Sequence, residues 1–278
     1  MIIKLISFYS PNLKLSARRF KKQAAKIGFF DEIELYSGAN LEAELYELYG
    51  DNFDPNTRGW GYWCWEPFIL LKEFESLDEG DILIYSDIGC HINEAGRDIL
   101  KNTYTTHIQD NGALLFQSDK SQDGKFAFWP EWQWTKPDLI KKIYPIEDVN
   151  AINSGQIVST VYGFEVNSSN RNIVSELFDL YVHHFDLMND SLSKMKPPSG
   201  FKENRHIQSG LSLLAKKNNL DTRSLFEIEL PDPNDYRTTD WESLKCYPFN
   251  ARRDLQFDIK TRIKRFVSRI IKYFRLNR

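Results

Sequence analysis

The sequence predicts an α/β fold, a single domain on a mainly parallel central sheet flanked by helices. Three observations predict it. The chain opens strand–helix–strand. An apolar run, Ile82-Leu83-Ile84-Tyr85, follows the turn signal Gly80-Asp81 and ends before Asp87 and Gly89. Amphipathic helical patterns separate the β-rich runs. Strands joined through helices pair in parallel, and an apolar run without alternation fits burial on both faces.

The elements follow in order. Ile2 to Tyr9 is β-rich and alternating, and Ser10-Pro11-Asn12 is a turn. Leu15 to Gly28 reads as a helix, because Ala17, Phe20, Ala24 and Ile27 recur at three to four residues and Gly28 stands at the C-cap. Ile33 to Tyr36 is a short strand and Leu41 to Tyr49 a helix. Asp51 to Gly61 is a loop rich in Asn, Asp, Pro and Gly. Pro67 opens a helix over Phe68 to Leu77. Asp81 to Tyr85 is the central strand. Ala95 to His107 reads as helix, Ala113 to Gln117 as strand and Asp138 to Tyr144 as helix. Gln156 to Glu165 is β-rich, Arg171 to Leu187 is an amphipathic helix, and Asn189 to Phe201 is a polar loop expected to move. His206 to Lys217 is a helix, Leu225 to Leu230 a late strand, and the rest to Asn250 irregular.

The tail differs. Ile259, Ile263, Phe266, Val267, Ile270, Ile271 and Phe274 form one stripe, with Lys and Arg on the other faces. Ten of the 36 basic residues but two of the 39 acidic ones fall in 251–278, leaving 26 against 37 in the rest. The expected division is a domain over 1–250 and a basic amphipathic helix over 251–278. An acidic body with a basic helix points to an anionic membrane surface and away from nucleic acid. No apolar run reaches the roughly 18 residues of a membrane span. The first ten residues are too short and polar for a secretory signal. Three cysteines without metal spacing fit a reducing cytoplasm.

Four stretches carry chemistry. Asp87 sits beside Gly89 at a strand end, where open α/β sheets place ligands, and one such carboxylate can hold a divalent ion with help from phosphate. Arg58 to Pro67, RGWGYWCWEP, joins an arginine suited to a diphosphate to Trp60, Tyr62, Trp63 and Trp65; Trp63 and Trp65 are expected to be core. Glu131 lies in PEWQWTK, between aromatics that suit a sugar face, and desolvation there would tune it toward a general base. Glu203 to Ser209, ENRHIQS, puts Arg205 and His206 at a helix start. Each has a bland alternative: a loop cap, a packed aromatic core, a loop acid near Lys136, a helix cap. There is no phosphate-loop, G-x-G-x-x-G, G-x-S-x-G or paired-cysteine motif.

RGWGYWCWEPFILLKEFESLDEGDILIYSDIGC, EWQWTK, Gln156 and NRHIQSGLSLLAKK together resemble a family of bacterial GT-A-type glycosyltransferases of capsule and O-antigen assembly, galactofuranosyltransferase-like members included. The resemblance covers about residues 2–220. It implies a mixed, mainly parallel GT-A (Rossmann-like) sheet and a hexosyltransferase using a nucleotide sugar, such as UDP-galactofuranose. The acceptor would be an oligosaccharide or lipid-linked saccharide at the inner face of the cytoplasmic membrane. Phe8, Tyr9, Ser10, Arg18 or Arg19, Arg58, Trp60, Tyr62, Asp87 and Gly89 would hold the nucleotide sugar. Trp132, Trp134, Gln156 and Arg205 would hold the acceptor, with Glu131 as base. Asp87 and His206 would bind manganese or magnesium. The chain departs from the family at Glu66, usually lysine, at Ile207, usually aspartate, and at Gly89, where a D-x-D has its second acid. These departures motivate the alternative of a non-catalytic carbohydrate-binding or scaffold protein.

Overall fold

The computed structural model describes residues 1–118, 128–144, 148–230 and 240–253. The tail helix expected beyond Arg253 lies outside them. Strand β1 (Ile3–Tyr9) leads through α1 (Lys14–Ile27) to β2 (Glu32–Ser37). Gly28 ends α1 in the left-handed conformation at φ 60°, as its place at the end of the apolar period predicts. Next come α2 (Gly38–Tyr49), the one-turn segment α3 (Gly59–Tyr62), α4 (Trp65–Ser76) and β3 (Ile82–Ser86). A two-residue strand β4 (His91–Ile92) precedes a helical run over 97–111, made of α5 (Arg97–Ile99), a π-wound middle (Leu100–Tyr104) and α6 (Thr105–Asn111). Then follow β5 (Ala113–Gln117), α7 (Glu131–Trp134), α8 (Pro137–Ile143), α9 (Val149–Asn153) and β6 (Ile157–Glu165). The chain continues with α10 (Ser168–His183), α11 (Phe185–Met188), α12 (Ile207–Lys217), β7 (Arg223–Ser224) and β8 (Phe249–Asn250).

Six strands form the main sheet in the order β2-β1-β3-β6-β5-β7. All run parallel except β6, which is antiparallel to both β3 and β5. This is the expected mixed, mainly parallel sheet flanked by helices. Alternation sorts the side chains. Ile6, Phe8, Leu83 and Tyr85 face one layer, with α2, α4, α10 and α12. Leu5, Ile82 and Ile84 face the other, with α1 and the 97–111 run. β3 is buried along its whole length, so its end is the natural floor of a site.

Two elements depart from expectation. Leu225 to Leu230 is not a strand: the pairing ends at Ser224, and a 3-10 turn (Leu225–Glu227) follows. The continuous helix expected to Leu187 breaks at His184. β4 and β8 carry no sequence signal. Their antiparallel pair returns the chain to the Asp87 turn and keeps it in the body through Ala251, whose N–H donates to the Ile228 carbonyl at 3.0 Å. The body therefore runs past residue 250.

Candidate active site

Asp87 follows β3 and is half-buried. Its N–H donates to the Thr160 carbonyl on β6 at 2.9 Å, and Cys90 N–H closes the turn onto the Asp87 carbonyl at 2.8 Å. Arg19 reaches across from α1 and donates to the Ile88 carbonyl at 2.7 Å and to that of Cys90. Arg19 thus braces the carboxylate turn and is not a diphosphate ligand. The Tyr85 hydroxyl donates to Asp87 Oδ1 at 2.8 Å. Burial raises the Asp87 carboxyl to about 6, and the Tyr85 hydrogen bond and the Arg253 charge pull the other way.

Three arginines from distant segments gather on this side. Arg58 pairs with Glu203 at 2.8 Å. That hydrogen bond holds the Glu203 carboxyl below its ordinary range. Arg205 lies with its guanidinium 3.9 Å from the Trp134 ring and 5.5 Å from that of Trp129. Burial pushes it down to about 10, and its electrostatic neighbours are Glu203, Arg253, Arg58 and Glu229. Arg253 pairs with buried Glu229 at 3.0 Å. Sequence reasoning missed Arg253 and Glu229, since a two-residue strand and an irregular polar stretch give no periodicity to read. Asp87 directly follows β3 and Arg58 directly precedes the aromatic turn.

The aromatic stretch has an unusual backbone. Gly59, Trp60, Gly61, Tyr62 and Trp63 all have positive φ, between 54° and 90°. Tyr62 N–H still donates to the Arg58 carbonyl at 2.8 Å, so the segment is one left-handed turn. Left-handed residues other than glycine cost about 1–2 kcal/mol each. Packing repays this strain. Trp65 Nε1 donates to the Gly59 carbonyl at 2.9 Å, and the Tyr181 hydroxyl donates to the Tyr62 carbonyl at 2.6 Å. Trp65 stacks on Phe8 at 3.8 Å, and Trp60 contacts Phe8 and Phe53. Phe8 is therefore core rather than a nucleoside contact. Trp65 is core as expected, while Trp60, Tyr62 and Trp63 are half-buried.

His206 is also strained, at φ 54° and ψ −121°. Its ring is fully buried, stacked on Tyr62 at 5.4 Å and tilted against Trp63 at 5.1 Å, with Nε2 2.9 Å from Asp190. Burial pushes it down to about 4. A ring walled in this way is not a metal ligand, which corrects the expectation. Among the described residues no group of three or more acids, histidines or cysteines could hold a metal ion. Asp87 alone does not fit a protein-held divalent centre.

Glu131 and Gln156 do not stand in the acceptor site expected of them. Glu131 is wholly buried. It accepts from Lys216 Nζ at 2.6 Å, from Thr135 at 2.5 Å, from Gln156 Nε2 at 3.1 Å and from Ser212. Gln156 is equally buried and donates also to the Trp134 carbonyl and Thr135 while accepting from Gln208. A carboxylate so sealed and saturated cannot take a proton from a docking hydroxyl, and Gln156 cannot touch an acceptor. They tie α7 to β6 and α12. Trp132 is half-buried and lies beside Gly200, and Trp134 carries Arg205. Tyr9 and Arg18 line a groove of about 330 Å³ between α1 and β2, with Lys14, Lys21, Glu34 and Leu35. Ser10 donates to Asn12 at 2.6 Å, and Gly89 is buried in the Asp87 turn. Glu66 is buried beneath Asp87 instead of facing a ligand, and Ile207 is core. The loop expected to move is tied down: Asp138 accepts from Ser193 and from the Lys194 and Met195 N–H groups.

No family model and no curated protein matches the chain. Solved structures do. Mouse xyloside xylosyltransferase 1 in its apo form is 9% identical over 80% of this chain and 84% of its own, with a TM-score of 0.42. A glycosyltransferase involved in glycosylation of the PBCV-1 major capsid is 11% identical over 66% and 68%, at 0.37. The galactosyltransferase LgtC with donor and acceptor sugar analogs is 13% identical over 75% and 70%, at 0.38. Likeness at this level says nothing of chemistry. Among the described residues no helix is long and apolar enough to cross a membrane.

Proposed function

We propose that the chain is a GT-A-type glycosyltransferase acting on a nucleotide diphosphate sugar. The observation that supports this most is a run of charges that starts at the end of β3: Arg253 is the cationic neighbour of the half-buried Asp87, and Arg205 has both Arg253 and Arg58 among its own electrostatic neighbours. A leaving diphosphate needs preorganised positive charge, and arginines held by Glu203 and Glu229 supply it without reorganising. Asp87 then takes a ribose or acceptor hydroxyl. Among the described residues it is the carboxyl that joins partial exposure to a pKa raised toward neutrality, so the base role expected of Glu131 passes to it. Trp132 and Trp134 offer faces to the acceptor saccharide. Tyr9 and Arg18 belong to the donor side.

The sequence resemblance supports the finer reading: a UDP-sugar such as UDP-galactofuranose, a saccharide or lipid-linked acceptor, surface polysaccharide assembly, and attachment to the inner membrane face through residues 254–278. Flotation with anionic liposomes of the full chain and of a chain ending at Arg253 tests the last point, and equal binding removes it. A second reading, a carbohydrate-binding protein without turnover, gains from the sealing of Glu131 and Gln156. Calorimetry with UDP separates the two. The enzyme binds UDP, and Arg205→Ala or Arg253→Ala weakens binding about tenfold or more. A chain that binds no nucleoside diphosphate and releases none from a nucleotide-sugar panel is not this enzyme.

A further inference from the structure

Beneath Asp87 lies a second acid that the proposed chemistry does not use. Glu66, on the first turn of α4, is 1% exposed. The Tyr162 hydroxyl on β6 donates to Glu66 Oε1 at 2.9 Å. Tyr85 on β3, whose ring stacks on Tyr162 at 5.0 Å, is also an electrostatic neighbour of Glu66. Tyr85 in turn donates to Asp87 at 2.8 Å. Among the described residues, the charged and titratable groups facing Glu66 are Asp87 and Tyr85 from the β3 side, Tyr162 from β6 and Tyr181 from α10. None is a cation.

The hydrogen inventory decides the protonation. A phenol carries one proton and cannot donate to two carboxylates. Since Tyr85 donates to Asp87, an ionised Glu66 would face the Tyr85 lone pairs with one donor, Tyr162, for a fully buried charge. A protonated Glu66 completes the chain: Tyr162 donates to Glu66, Glu66 to the Tyr85 oxygen, and Tyr85 to Asp87. We infer that Glu66 is a neutral carboxylic acid at physiological pH that positions Asp87 by fixing the direction of the Tyr85 hydroxyl. Desolvation first, and then the Asp87 charge, push the same way. The inference concerns the state of the free protein and stands or falls apart from the identity of the substrate.

Infrared difference spectroscopy of the free full-length protein tests it. At pH 8 wild type shows a protonated-carboxyl C=O band that is missing from Glu66→Gln. Glutamine reproduces a neutral acid here, accepting from Tyr162 through its carbonyl and donating to Tyr85 through its amide. Glu66→Gln therefore folds with an unchanged circular dichroism spectrum. It also changes the pH dependence of stability. An acid neutral in the fold and ionised when unfolded loses stability as pH rises, about tenfold in the folding equilibrium per pH unit. Between pH 6.5 and 8.5, above the Asp87 transition, Glu66→Gln removes that slope. Identical infrared spectra, an unchanged slope, or a Gln variant that fails to fold where wild type folds would each overturn the assignment.

Discussion

Replacing Lys216 by methionine separates a structural Glu131 from a catalytic one. Lys216 Nζ stands 2.6 Å from Glu131, and the two side chains are 9% and 0% exposed. Removing one partner of such a buried pair costs about 3–5 kcal/mol, because the other charge stays behind without its counterion. Thr135, Gln156 and Ser212 still donate to Glu131, which places the expectation near 3. Against a total of about 5–15 kcal/mol this is a large share. With a urea slope of roughly 2–3 kcal/mol per molar, the midpoint falls on the order of 1 M. Urea unfolding followed by tryptophan fluorescence gives the midpoint, and calorimetry with UDP below the transition gives the site. Glu131→Gln is expected to behave alike: less stable, with UDP affinity and sugar transfer by the folded fraction unchanged. Glu131→Gln combined with Lys216→Met recovers most of the loss, since two neutral partners strand no charge. A Glu131→Gln protein of wild-type stability that has lost transfer by about a hundredfold or more, as for a general base, would refute the structural reading.

Asp87→Asn is expected to flatten the pH dependence of transfer around pH 6, where the wild-type carboxyl titrates; a profile unchanged by the substitution places the titrating group elsewhere. His206 is neutral in the fold down to about 4 and protonates near 6.5 when unfolded. The unfolded chain therefore binds more protons between those values, and stability falls as pH drops from 6.5 to 4. His206→Gln removes that term, which urea midpoints at pH 4.5 and 7 measure. Gly61→Ala puts a Cβ 2.6 Å from the Phe53 ring at φ 90° and is expected to cost about 1–3 kcal/mol in the same assay.

The sequence made the scaffold legible because burial on two faces leaves a plain mark. β1, α1, β2 and β3 were readable from apolar spacing and from Gly28 and Gly80. The order of strands was not. Nothing in QIVSTVYGFE says that β6 runs against its neighbours, since direction is set by the path the chain takes between strands. Asp87 was legible as an acid after an apolar run. Glu131 and Gln156 misled because an acid among tryptophans looks the same whether it faces a sugar or a buried lysine. Lys216, which decides the matter, stands 85 residues away. Arg19 and Arg18 are neighbours of one type on one helix; a rotation of about 100° sends one to the Asp87 turn and the other to the α1 groove.

The limits of the central strand explain why the candidate site is spread over so many segments. The central strand can present one side chain at its end, and Gly89 brings no side chain where a second acid would stand. On the proposed function, positive charge must then come from outside the sheet, and long-range pairs fix it: Arg58 to Glu203 across 145 residues, and Arg253, just past the strand that pairs with β4, to Glu229. The left-handed turn at 59–63 serves the same end. An ordinary turn would lead from Arg58 to α4 by another path. The strained one lets Arg58 lie over Trp63 at 5.8 Å while Tyr62 and Trp63 cover His206. Relaxing it would therefore free backbone strain and also displace an arginine. Tyr62→Gly, which removes a positive-φ penalty, should for that reason weaken UDP binding, and a tighter complex would show that the turn plays no part in placing Arg58.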